Sequence, residues 1–195
     1  MRKLFGGREM KMEIVKDSPA QDVRAQSVIE TDRFVMRPPR RSDAGLLNMY
    51  DSDIRVARNS RSLPHPMPPG ATEAFVARAL KPETLEKVWI LDGSAHGLSE
   101  VLGVISLKPL DRDQCEVAFW VAPSFWGTGL ARAALKAMVA ANPLGSRTMF
   151  AEIFQDNQAS ARVVTAAGFE YIGDAETYCV SRGAQVPTWT YLRKL

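Results

Sequence analysis

The sequence predicts a mixed α+β domain: a central, mostly antiparallel twisted sheet of about six to seven strands with helices on both faces. Three observations carry this. Strand-like runs outnumber helical ones and follow the order strand, helices, strands, helix, strand, helix, strands. Three consecutive strand-like runs, "KVWILD", "VLGVISLKPL" and "QCEVAFWV", are joined by connections too short for parallel crossovers, which demands an antiparallel meander. A chain of 195 residues, 46% hydrophobic, is long enough for one well-buried core.

The elements follow in order. Residues 1–28 mix Gly, Lys, Glu, Asp and Pro without periodicity and read as an extension, leaving 29–195 as a single domain. Phe34 to Arg37 reads as a strand stopped by Pro38 and Pro39, and Ser42 or Asp43 can cap a helix carrying Leu46, Leu47 and Tyr50. The five prolines of "RSLPHPMPPGATEAFVARAL" make a shaped loop before a helix from about Thr72 to Leu80. The meander comes next, its first two strands joined through "GSAHGLSE", and Leu130 to Ala141 is helical with Arg132 and Lys136 on the solvent side. "RTMFAEIFQ" is a strand, "NQASARVVTAA" a helix closed by Gly168, and "FEYIG" and "TWTYLRKL" are two final strands.

Composition excludes several classes. The net charge of +3 and pI near 9.0 suit an anionic ligand, but no dense Lys/Arg run points to nucleic acid. No apolar run approaches the length of about 18 residues that a membrane span needs, and the first residues lack a signal peptide's apolar centre, so a soluble, cytoplasmic protein is expected. Cys115 and Cys179 have no partners at metal-ligand spacing and read as structural thiols, with no metal expected.

"CEVAFWVAPSFWGTGLARAAL" carries the chemistry. Pro123 forces the strand to end at Val121 and Ala122. Gly127 and Gly129 then allow a turn that bares the N–H groups of Gly127, Thr128, Gly129, Leu130 and Ala131 at the positive end of the next helix, where a phosphate or pyrophosphate is welcome. A dinucleotide fingerprint would need Gly or Ala where Arg132 stands, and the Gly-Lys-Ser/Thr of a P-loop is absent.

This layout resembles the GCN5-related N-acetyltransferase (GNAT) superfamily. "FWGTGLARAAL" is similar to its pyrophosphate-gripping turn in the ribosomal-protein N-terminal (Rim-type) branch, although Ser124 replaces the superfamily's Gln or Arg. "NQASARVVTAAGFEYIG" is similar to its second block through Asn157, Ser160, Gly168 and Phe169, and "ETDRFVMRPPRRSDA" resembles the Rim-type opening. The resemblance covers residue 28 to the end.

The resemblance implies an acetyl-CoA-dependent N-acetyltransferase acting by direct attack of a primary amine on the thioester. The Rim-type branch points to a protein N-terminal α-amino group. A small-molecule amine is the alternative acceptor, and a non-catalytic coenzyme-binding sensor the alternative of another class. It implies that Glu116–Val121 and Met149–Phe154 splay to admit the pantetheine, with backbone groups of Phe119, Trp120 and Val121 as contacts and a bulge as the usual device to free them. Glu116 becomes the candidate base, directly or through water, with a salt-bridged glutamate as its bland reading. Val164 stands where relatives carry a tyrosine acid, so that role is vacant, and Ser160 is the candidate proton donor or thiolate partner. Asn157 is both a helix cap and a pantetheine contact, and Arg132 lies near enough the turn to meet a coenzyme phosphate.

Residues 38–80 would wall the acceptor side, where Arg40, Arg41, Arg55, Arg58 and Arg61 hint at an acidic acceptor and a dearth of acids speaks against polycations. His65 reads as an exposed loop residue. The terminal strands leave monomer and homodimer both open.

Overall fold

The computed structural model describes residues 26–195. Residues 1–25 of the expected extension therefore lie outside the described residues, whereas its last residues lie along the sheet. Gln26 Nε2 donates to the Val88 carbonyl (2.6 Å) and Trp89 Nε1 to the Ser27 carbonyl (2.8 Å).

Eight strands form one sheet in the order β1-β2-β3-β4-β5-β6-β8-β7, one more than expected. The addition is β1 (Ile29–Glu30), a short edge paired to β2 (Val35–Arg37). After β2 come α1 (Ala44–Asp51), the single turn α2 (Ile54–Ala57) and α3 (Ala71–Ala79). The meander is β3 (Lys87–Asp92), β4 (Gly103–Leu110) and β5 (Gln114–Val121), followed by α4 (Leu130–Ala141), β6 (Thr148–Phe154) and α5 (Gln158–Ala166). The chain closes with β7 (Glu170–Cys179) and β8 (Ala184–Lys194). These two strands run well beyond "FEYIG" and "TWTYLRKL" and pair with each other, so β7 forms the sheet's edge.

Alternation along the strands divides the core into two layers. Trp89, Leu91, Ile105, Val117 and Val121 pack with Leu130, Leu135 and Met138 of α4 and Val164 of α5. Val88, Ile90 and Val104 point the other way, with Leu47 of α1 and Val76 of α3. Under α1, the buried Arg37 guanidinium binds both oxygens of Asp43 (2.9 Å each) and Asp92 (2.5 Å), fixing the entry into the helix.

Every neighbouring pair is antiparallel except β5 and β6. That parallel pair holds over three residue pairs, Gln114↔Thr148 to Glu116↔Phe150, after which the strands part. The divergence expected from Glu116–Val121 and Met149–Phe154 is thus present, but the expected bulge is not. The β4–β5 register runs unbroken from Gly103↔Val121 to Leu110↔Gln114. Backbone groups on β5 are freed by losing β6 as a neighbour, not by a defect against β4.

Candidate active site

Ladder phase decides which β5 groups are free. The Ala122 N–H donates to the Leu102 carbonyl (2.9 Å), so the backbones of Ala118 and Trp120 point at β4 while those of Phe119 and Val121 point into the gap toward β6. This corrects the expectation for Trp120: its backbone is committed to Val104 across the ladder, and its indole instead lines the cavity, edge-on to Tyr50 at 6.2 Å. The Val121 carbonyl accepts from Trp126 Nε1 (2.6 Å), which leaves its N–H and both Phe119 groups available to a ligand lying in the gap.

The anion turn follows. Gly127 and Gly129 have φ of 76° and 83°, left-handed conformations that L side chains rarely adopt. A Cβ on Gly127 would meet nothing within 4 Å, so backbone conformation rather than crowding demands glycine there. The first helical bond of α4 is from Ala133 N–H to the Gly129 carbonyl. The six consecutive N–H groups from Gly127 to Arg132 donate to no group among the described residues. Leu130 is buried and anchors the turn in the core, Ala131 is half-buried, and the exposed Arg132 flanks it. Arg33, which sequence reasoning missed, reaches across from before β2 to bond the Thr128 carbonyl (2.8 Å). A row of unpaired amides at a helix N-terminus, flanked by two guanidinium groups and free of acids in its first turn, fits a pyrophosphate.

A cavity of about 560 Å³ opens on the α1/α3 side where β5 and β6 part. It gathers Glu116, Phe119, Trp120, Asn157 and Ser160 from the predicted set, while Gly127 to Arg132 form the separate anion turn. Asn157 caps α5, its Oδ1 accepting from Ser160 N–H (3.1 Å). The Ser160 hydroxyl makes no hydrogen bond among the described residues and faces the cavity. Val164 is fully buried in the core, so the tyrosine position supplies no acid.

Glu116 does not stand alone. Its Oε1 lies 2.5 Å from Arg61 Nη2, and Arg61 Nη1 bonds Glu152 Oε2 (2.9 Å) across the parting strands. Thr188 Oγ1 donates to Glu152 Oε1 (2.7 Å). Arg61 is held there by the β7–β8 hairpin tip. Val180 N–H donates to the Arg61 carbonyl (3.0 Å), Ser181 Oγ to the Ala57 carbonyl (2.9 Å) and Arg182 Nε to the Arg58 carbonyl (2.7 Å). Neither Arg61 nor Glu152 was singled out as a partner of Glu116, because contacts across 55 and 36 residues leave no local signal.

The arginines read as an invitation to an acidic acceptor are largely spoken for. Arg55 pairs with Asp53 and lies over the Trp126 ring, Arg58 pairs with Asp156, and Arg61 holds the two glutamates. The cavity is also more acidic than its loops: Asp51, Glu86, Glu116 and Glu152 line it against Arg61, Arg78 and Lys108. Its acids come mostly from the strands and their flanks, outside the 38–80 segment. His65 is exposed, and Cys115 and Cys179 are buried free thiols, with burial raising the Cys115 pKa.

A sheet parted beside a glycine-turn helix, with a carboxylate and a hydroxyl at the parting, can take an extended anionic ligand between its strands and offer it proton-transfer groups. The chain belongs to the GNAT acetyltransferase family, whose domain model matches residues 33–170, and it is an N-acetyltransferase that uses acetyl-CoA. YoaA, an uncharacterized N-acetyltransferase of Bacillus subtilis, is 25% identical over 173 residues, covering 84% of this chain and 94% of YoaA. In fold, the chain is similar to the ribosomal L7/L12 α-N-protein acetyltransferase RimL in complex with coenzyme A (TM-score 0.75, 18% identity, 87% of this chain and 98% of that one). It is similar also to RimJ of Mycobacterium smegmatis (TM-score 0.70, 16% identity, 86% of each chain). The microcin C7 self-immunity acetyltransferase MccE, in complex with acetyl-CoA and AMP, shares the fold at TM-score 0.73 and 13% identity, over 85% of this chain and 94% of that one.

Proposed function

We propose that the protein acetylates a primary amine by direct attack on the thioester, and that its acceptor is the α-amino terminus of a protein. The observation that carries this is the convergence, in one open cavity at the β5–β6 parting, of the Glu116 carboxylate and the unbonded Ser160 hydroxyl. When bound, acetyl-CoA supplies the activated acetyl group. The amides of Gly127 to Arg132, with Arg33 and Arg132, hold its pyrophosphate, and Phe119 and Val121 orient the pantetheine through their backbones. Glu116, with one oxygen held by Arg61, accepts the amine's proton through a water at the other. Ser160 donates a hydrogen bond at the leaving sulfur.

Acceptor chemistry agrees with this modest equipment. An α-amino group has a pKa of about 7.7–8.0, against about 10.4 for lysine, so it arrives mostly as the ammonium near pH 7 but gives up its proton far more readily than a lysine does. The likeness to RimL, a ribosomal L7/L12 α-N-protein acetyltransferase, supports a protein terminus.

The test is thiol release from acetyl-CoA with peptides bearing free Ser, Ala, Met, Asp or Glu termini, alongside free amino acids and polyamines. Turnover on peptide termini, lowered by about 10²-fold in kcat for Ser160→Ala, is expected. Turnover on small amines alone would replace the protein acceptor with a metabolite. Tight coenzyme binding with no thiol release from any amine would make the protein a sensor.

A further inference from the structure

Of the four carboxylates lining the cavity, three have partners. Glu86 accepts from Ser106 Oγ (2.7 Å), and Glu116 and Glu152 share Arg61. Asp51 has none among the described residues: the residue is 3% exposed, and its Oδ1 is buried without a hydrogen bond. Burying a charge unpaired is among the costliest arrangements a fold can keep. Asp51 is moreover the last residue of α1, where the helix dipole disfavours negative charge. Burial accordingly raises its carboxyl to about 7.

Among the described residues, nothing near Asp51 relieves it. Asn48, one turn back on α1, and Thr72 on α3 bond each other (3.3 Å) and carry no charge. The cations facing the same cavity are Arg61, already held between two glutamates, Arg78 and Lys108, and no ion pair joins any of them to Asp51. Asp51 lies in the cavity wall, 3% exposed and with Oδ1 itself covered, so a ligand meets it only from the cavity side.

We propose that Asp51 is the seat of the acceptor's cationic group, the carboxylate on which an ammonium-bearing acceptor docks before transfer. This rests on the acetyltransferase reading only in placing the acceptor in this cavity. An ammonium set against Asp51 gives the carboxylate the partner the fold withholds, and the binding is selective because a neutral or anionic compound offers no charge partner and leaves the group to hold a proton instead. What Asp51 adds to the amine acceptor of an N-acetyltransferase is a seat that favours a cationic docking group over the acidic one that the loop arginines suggest.

The probe is methylammonium, the smallest primary ammonium, titrated into the full chain with isotope-labelled aspartate carboxyls followed by carbon NMR. Expected is a saturable shift of the Asp51 resonance, with its titration midpoint falling by about one pH unit or more, neither of which sodium chloride at equal ionic strength produces. A resonance that ignores methylammonium, or answers sodium equally, overturns the assignment. In the acetylation assay, Asp51→Asn is expected to raise the acceptor's KM at least about tenfold while kcat and acetyl-CoA affinity stay within about threefold. An unchanged KM overturns the proposal as well. An NMR response without thiol release from any amine would sink the acetylation reading and leave Asp51 as a cation site. Thiol release with a silent Asp51 would do the reverse.

Discussion

At the scale of single residues, two carboxylates in one cavity are placed in opposite ways. Glu116 is given a guanidinium at 2.5 Å, and Asp51 is given no partner among the described residues. The second arrangement costs stability in a pH-dependent way whose sign is fixed. The folded-state pKa of Asp51, about 7, lies above its ordinary 3.8, so the folded chain keeps a proton that the unfolded chain releases. Stability from this group is therefore full below about pH 3.8 and is lost as pH rises through 7, a span worth roughly 4 kcal/mol at 1.36 kcal/mol per pH unit. Asp51→Asn removes the titration and should be more stable than the parent by about 2–4 kcal/mol near pH 8, with the difference closing toward pH 4. Urea unfolding of both proteins at the two pH values measures this, and parallel pH dependences would show that Asp51 is solvated after all. A substitution that stabilises the protein while weakening acceptor binding marks a residue kept for function.

At the scale of elements, the anion site belongs to a turn and the acceptor wall to a hairpin, and their legibility differs accordingly. The turn was readable because its parts are adjacent: Pro123 ends β5, Gly127 and Gly129 take positive φ, and α4 begins at Leu130 as expected. Gly127→Val should lower coenzyme affinity by more than about 10²-fold while the fold survives, since a Cβ there meets no neighbour and the penalty is local backbone strain. Titration calorimetry with circular dichroism as a fold check decides it, and unchanged affinity would remove pyrophosphate from this turn. The hairpin was half-legible. Gly173, Gly183 and Pro187 look like stops, yet Pro187 pairs with Glu176 inside the ladder, and β7 passes Gly173 through a register shift between Tyr171 and Gly173. Missing that extension meant missing why Arg61 sits between Glu116 and Glu152, because the hairpin tip holds Ala57, Arg58 and Arg61 by their carbonyls. Arg33 and Asp51 were missed for the same reason: their roles come from what the fold brings near them, or withholds, and not from neighbours in sequence.

For the whole molecule, the sheet is two antiparallel blocks, β1–β5 and β6–β8, joined edge to edge by three residue pairs. Where they part, each strand offers backbone groups that the other would have satisfied, so a ligand lying between them restores a ladder and ties the blocks together. Ladder phase makes this testable amide by amide. In the unliganded protein, the amides of Ala118 and Trp120, bonded to β4, should exchange slowly and those of Phe119 and Val121, facing the gap, quickly. Acetyl-CoA should slow the second pair and leave the first nearly unchanged. At a concentration of about 100 times Kd it should also add about 2.7 kcal/mol of stability, or about 5–10 °C in Tm for a chain of this size. Gly127→Val should lose both effects together. Protection that rises uniformly along β5, with no alternation, would mean that the coenzyme does not lie as a strand in the parting and that the gap between the two blocks serves some other purpose.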